Sequence, residues 1–301
     1  MNDFDIYNKK LKEFLSENDY IITEEKNINY GIMYRVKRSR ESVIRVYQNK
    51  KGKITLDTSP VKDEDLLYIL ADFSGEEKKD SILLPPPLIG TDEAGKGDYF
   101  SSLIVCGVYA DKMQYRELEK LGVKDSKKLT DEKMMEMSTE IIRICPDYAL
   151  VEFTPEKLTE LHSKYNINEL LGMAHARTIA ALNKKTGCKN SLSDKFGPEN
   201  LIEDALRHYG VSINAVQFPR AEVNAAVAAA SIIARCKFIK CVNALSEKYN
   251  MSFPLGAGDI VDRSGVEFVK KYGSDELKKV SKYFFKNTVI AKANNASAIF
   301  G

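Results

Sequence analysis

Three successive prolines, Pro85 to Pro87, stand in the stretch FSGEEKKDSILLPPPLIG and limit what this 301-residue chain can fold into more than any other feature. Proline fixes φ and cannot continue a helix, so a charged run ending in three of them predicts an extended linker. The hydrophobic pattern changes across it. Two domains are therefore expected, residues 1–80 and 81–301, each long enough to bury a core.

Before the linker, Phe4, Tyr7, Leu11, Phe14 and Leu15 recur at helical spacing. The stretch YIITEEKNINYGIMYRVKRSRESVIRVYQNKKGKITLDT then alternates apolar and polar residues, with turn signals at Asn27 and Lys50 to Gly52. VKDEDLLYILADF predicts a closing helix, so the first unit reads as a small α/β module: helix, three or so strands, helix. Basic residues gather inside it. Arg35, Lys37, Arg38, Arg40, Arg45, Lys50, Lys51 and Lys53 face Glu41 alone in that window, with Tyr34 and Tyr47 interleaved. Such a grouping suits a nucleic-acid backbone and suits a solvated sheet face equally well.

After the linker, strands alternate with helices. PLIGTDEA and SSLIVCGVYA predict two strands joined by a tight glycine turn, and DSKKLTDEKMMEMSTEIIRIC a loop leading into a helix capped near Thr130. YALVEFT, NSLSDKF and INAVQFP predict further strands, with helices over PEKLTELHSKY, INELLGMAHARTIAALNKKT and ENLIEDALRHYG. AEVNAAVAAASIIARCKFIKCVNALSEKY predicts one long buried helix whose small side chains let it lie close to a sheet. The fold class expected is a mixed α/β sheet with helices on both faces.

Composition excludes more than it selects. A formal net charge of +2 predicts no partner, and five scattered cysteines without CxxC spacing predict reduced packing residues in a cytosolic protein. Three histidines are too few and too dispersed for a zinc site, and His175 reads as a packed helix residue rather than a catalytic base. The opening MNDFDIYNKKLKEF has neither signal-peptide nor transit-peptide character, and no apolar run spans a bilayer.

Against this background Asp92 and Glu93 stand out, because they sit side by side at the end of an apolar, glycine-spaced strand. A charge there costs several kcal/mol unless it is paired or bound to a cation. Adjacent strand residues point to opposite faces, so both acids reach one site only if the chain bends, which Gly95 and Gly97 permit. Two distant acids also fall in segments that should be buried: Asp194 in NSLSDKFG, and Glu222 in FPRAEVNAAVAAAS. Singly, each has an ordinary use as turn former or helix-start acid. Together with Asp92 and Glu93 they form an oxygen-only set suited to Mg²⁺ or Mn²⁺.

The motifs GTDEAGKGDYF, GVKDSKKLTDEK, LSDKF, AEVNAAVAAASIIAR and GAGDIVDRSGVEFVKKYG, in this order, resemble those of the bacterial and archaeal type 2 and type 3 ribonucleases H, most closely type 3. The resemblance covers essentially the whole chain. It implies a ribonuclease H-like mixed sheet preceded by a small α/β domain with a fold like that of TATA-binding protein, which grips the hybrid duplex. It implies four metal-binding carboxylates at Asp92, Glu93, Asp194 and Glu222, and two Mg²⁺ or Mn²⁺ ions during catalysis. The family's glycine motif, which meets the sugar 2′-hydroxyls, falls on Gly95, Lys96 and Gly97, and its phosphate loop on Asp125, Ser126, Lys127 and Lys128.

The expected activity is endonucleolytic hydrolysis of the RNA strand of RNA/DNA hybrids, leaving 5′-phosphate and 3′-hydroxyl ends, by a cytoplasmic monomer. The alternatives are a type 2 enzyme cutting at single ribonucleotides in DNA, and a catalytically silent hybrid-binding protein. Four positions depart from the family pattern: Ser101-Ser102 stand where Gly-Pro is usual, Leu255 where lysine is common, and Arg220 where lysine precedes the acid.

Overall fold

The computed structural model describes residues 3–299 except 39, 62, 75–83, 125–129 and 199. The chain separates into two compact units, Met1–Ile82 and Leu83–Gly301.

In the first unit, helix α1 (Asp3–Glu17) precedes four strands, β1 (Ile21–Ile28), β2 (Gly31–Lys37), β3 (Glu41–Gln48) and β4 (Ile54–Asp57), and helix α2 (Glu64–Ser74) closes it. The strands pair antiparallel in chain order, one more strand than the alternation predicts. Tyr34, Val36, Ile44 and Val46 point inward and bury with Leu11 and Leu15 of α1 and Leu66, Ile69 and Leu70 of α2. Tyr34 thus belongs to the core and not to a basic surface; its hydroxyl donates to Asn8 Oδ1 at 2.8 Å.

Pairing also redistributes the basic cluster. Arg35 lies between Glu24 and Glu41 at 2.9 and 2.8 Å, and Arg45 meets Asp57 at 3.3 Å. Arg38 and Arg40 fall beyond one end of β3, and Lys50, Lys51 and Lys53 beyond the other, more than about 20 Å away along the strand. What is one run in the sequence becomes two exposed groups flanking a partly neutralised face.

The second unit begins with β5 (Leu88–Ala94) and β6 (Leu103–Ala110), then α3 (Lys112–Leu121), α4 (Asp131–Ile144), β7 (Tyr148–Phe153), α5 (Pro155–His162), α6 (Ile167–Thr186), β8 (Asn190–Asp194), α7 (Asn200–His208), β9 (Asn214–Phe218), α8 (Ala225–Tyr249), α9 (Asp259–Tyr272) and α10 (Lys286–Ile299). Its five-stranded sheet has the order β7-β6-β5-β8-β9. β5, β6 and β7 run antiparallel, while β8 and β9 are parallel to β5 and to each other.

One face of this sheet carries α8 and the other α6. Residues Ala225 to Ala230 of α8 are all buried. The approach is so close that a Cβ on Gly90 of β5 would come within 2.3 Å of the Ala226 carbonyl carbon. The sequence pattern misses α3, which an Asp111 capping box starts and Gly122 ends. It also runs the Ala-rich helix four residues too far back. Asn224 adopts an extended conformation and caps Ala226, so Ala221–Val223 form a separate 3-10 turn and Glu222 lies outside the helix. Among the described residues no helix is long and apolar enough to cross a membrane.

Candidate functional site

Strand alternation divides β5 into two sets of side chains. Ile89 packs toward α6, and Thr91 and Glu93 meet its His175, whereas Leu88 and Gly90 pack against α8. Asp92 belongs with the second set, and the Ser231 hydroxyl of α8 donates to its carboxylate. The two acids therefore leave opposite faces of one strand. They stay within electrostatic reach because β5 ends immediately after them and the chain turns at Gly95, whose φ is +88°.

Asp194 joins them through register. Thr91 of β5 pairs with Ser193 of β8 in parallel, so Asp92 and Asp194 are the next residues along two adjacent strands, and neighbouring strands lie about 4.8 Å apart. The pKa of Asp92 is raised well above the usual carboxylate range, first by burial, then by the negative charges of Glu93 and Asp194. Asp194 Oδ1 accepts from the Ala221 backbone N–H at 2.9 Å. That bond ties the end of β8 to the 3-10 turn carrying Glu222, which is half-buried. Among the described residues no three acidic, histidine or cysteine side chains already form a closed metal cluster.

The glycine turn lies beside the acids. Lys96 Nζ is 3.9 Å from Glu93 Oε1 and donates to the Phe196 carbonyl at 3.4 Å. Gly95 is sterically required, since a Cβ there would meet the Ser102 carbonyl oxygen at 2.5 Å and the Phe238 ring at 2.8 Å. Gly97 differs: nothing lies within 4 Å of where its Cβ would be. Asp125, Ser126, Lys127 and Lys128 lie outside the described residues.

A groove of about 260 Å³ opens at this point, lined by Glu93, Ala94, Gly95, Met134, Ser231, Ile232 and Arg235. Sequence reading treats ASIIAR as core and misses Ser231 and Arg235 as site residues. A signal was present: two polar side chains four apart, on one face of a helix whose first eleven residues are otherwise Ala, Val and Ile.

The ribonuclease HII family model matches residues 89–288, two thirds of the chain. The chain belongs to the ribonuclease HII family. It is 38% identical over 201 residues to ribonuclease HIII of Protochlamydia amoebophila, 66% of each chain. It is 31% identical over 284 residues to ribonuclease HIII of Chlamydia caviae, covering 92% of this chain and 91% of that one. Among solved structures it is similar to Bst-RNase HIII in complex with Mn²⁺, at 26% identity and TM-score 0.66 over 95% of this chain and 96% of that one. The expected fold class stands, and the chain is a nuclease of the ribonuclease H type.

The departures from the family pattern have local consequences. Ser101, where glycine is usual, adopts φ +69°, a left-handed conformation that costs a side chain more than it costs glycine. Arg220 likewise has φ +56°. Leu255 is 40% exposed, an apolar side chain at a surface where the family commonly presents a lysine.

Proposed function

We propose that the chain hydrolyses the RNA strand of RNA/DNA hybrids, leaving 5′-phosphate and 3′-hydroxyl ends, with Asp92, Glu93, Asp194 and Glu222 holding two Mg²⁺ or Mn²⁺ ions. The observation that carries this reading is the meeting of acids at the ends of the paired strands β5 and β8, where Asp92 and Glu93 end one strand and Asp194 the other, and where burial and then the neighbouring charges raise the Asp92 pKa. An oxygen-only set under such repulsion fits a hard divalent cation, which offsets the gathered negative charge. When bound, such ions supply charge stabilisation at the phosphodiester and lower the pKa of attacking water.

The chain's own residues bind and orient. Asp194, fixed by the Ala221 N–H, and Asp92, fixed by Ser231, present their oxygens with little rotational freedom. Open space at Gly97 admits a ribose against the backbone, where a 2′-hydroxyl distinguishes RNA from DNA. Lys96, Ser126, Lys127 and Lys128 position phosphates and carry no base information. Arg235 offers the groove a further cation. Residues 1–80 act as the hybrid-binding domain and 81–301 as the catalytic domain, in a monomer acting in the cytoplasm.

The type 3 reading, favoured by relatives named ribonuclease HIII, is tested by presenting two duplexes with Mg²⁺ or Mn²⁺. An all-RNA/DNA hybrid should be cut efficiently and a duplex with a single ribonucleotide poorly; the reverse order rejects type 3. Asp194→Asn should abolish cleavage while hybrid binding persists. A wild type that binds hybrid but never cuts it with either metal would establish the silent alternative.

A further inference from the structure

His175 of α6 is completely buried, and both of its ring nitrogens have side-chain partners. Nδ1 is 2.7 Å from Thr91 Oγ1, and Nε2 is 3.3 Å from Glu93 Oε2. Thr91 Oγ1 is in turn 2.6 Å from Ser193 Oγ. Phe196 stacks on the imidazole, with centroids 4.6 Å apart and planes 12° from parallel.

The donors and acceptors have one consistent order for a neutral ring. An ionised carboxylate only accepts, so Nε2 carries the hydrogen and donates to Glu93. Nδ1 then accepts from the Thr91 hydroxyl, which accepts from Ser193. This chain of bonds runs between the residue before Asp92 and the residue before Asp194, crossing from β5 to β8, and it ends on Glu93. A packing role alone does not require it: leucine would fill the volume against Phe196 without desolvating two nitrogens.

We propose that His175 is a positioning residue, which holds Glu93 Oε2 and so leaves Oε1 as the oxygen offered to a divalent cation. The inference rests on reading Glu93 as a metal-holding residue. Its geometry agrees, because Oε1 is the oxygen toward Lys96 at the glycine turn, whereas Oε2 is turned to the buried imidazole. An oriented carboxylate loses less rotational freedom on binding than a free one, and loss of such supporting bonds weakens metal binding by roughly tenfold to a hundredfold.

The test is calorimetric titration of the whole chain with Mn²⁺ in the absence of substrate, with melting temperature followed in parallel. His175→Leu leaves Thr91 and Ser193 bonded to each other, so the protein should fold and melt near wild type while binding Mn²⁺ roughly tenfold or more weakly. His175→Gln, whose amide N–H reaches toward Glu93, should recover most of that loss. Thr91→Val, which removes the donor to Nδ1, should weaken binding severalfold. Asp194→Asn serves as the control. Wild-type affinity in His175→Leu and Thr91→Val, with Asp194→Asn impaired, overturns the role of His175 and leaves the metal site standing. A wild type that binds no Mn²⁺, or that Asp194→Asn leaves unaffected, overturns the site reading and this inference with it. Should His175→Leu fail to fold, Thr91→Val decides: unchanged affinity refutes the proposal.

Discussion

Gly95 and Gly97 flank the same lysine, yet only one of them is required by the protein's own packing. Gly95→Ala would place a Cβ against the Ser102 backbone in a left-handed conformation, and should cost about 3 kcal/mol or more of stability. Gly97→Ala meets open space. It should melt within about 2 °C of wild type and lose roughly tenfold or more in kcat/KM on hybrid, about 1.4 kcal/mol of transition-state binding. Equal activity in Gly97→Ala would remove the ribose-reading role from that turn. Lys282 supplies the pH-dependent case. It is fully buried, and its ammonium donates to the carbonyls of Asp98, Phe100 and Ser101 at 2.7, 3.2 and 2.8 Å. Burial pulls its pKa down to about 7, with Asp98 opposing. The folded pKa lies below the unfolded value, so the unfolded chain binds more protons between about pH 7 and 10.5, and stability rises with pH across that window. The unfolding free energy of wild type minus that of Lys282→Met should therefore climb by up to about 1.4 kcal/mol per pH unit above pH 7. A flat difference from pH 7 to 9 in denaturant titrations would refute the depressed value.

At the scale of elements, the packing of β5 on α8 determines whether the acids converge. Gly90 and the alanines of α8 let strand and helix backbones nearly touch, which brings Ser231 to Asp92. Gly90→Ala must push the two apart, because its Cβ would lie 2.3 to 2.6 Å from backbone atoms of Ala226 and Val227. We expect a loss of about 3 kcal/mol in stability, read by urea denaturation, together with loss of cleavage. A variant as stable as wild type would mean that the helix can shift freely. The same packing explains how legible the elements were. The Ala-rich run announces close approach, and alternation locates the strands, since both follow from periodicity. The break at Asn224 does not: a cap is a local contest between side-chain and backbone hydrogen bonds, and three residues of 3-10 turn leave no periodic trace.

Over the whole molecule, the division into two compact units separates gripping from cutting in the proposed activity. Deleting residues 1–80 should weaken hybrid binding and lower the slope of log affinity against log salt by about one unit for each phosphate no longer neutralised. Unchanged affinity and slope, measured by fluorescence anisotropy from low to moderate salt, would assign those basic residues to a solvated surface. The sheet pairing already narrows the candidates, since Arg35 and Arg45 are engaged by Glu24, Glu41 and Asp57. The exposed groups beyond the ends of β3 remain the better phosphate partners.

The amino-acid sequence by itself determined the two-unit division and the mixed α/β class, and it marked four acids as candidates for a site, because composition, periodicity and misplaced charge are local properties of a chain. Only the tertiary structure decided which of those acids meet, and with what. The register of β5 against β8 sets Asp92 beside Asp194, the layer packing brings Ser231 and Arg235 to the groove, and a buried histidine read as core filling holds Glu93. These pairings join residues on elements far apart along the chain, and such partners are chosen by the packing of whole elements, about which no single segment carries information.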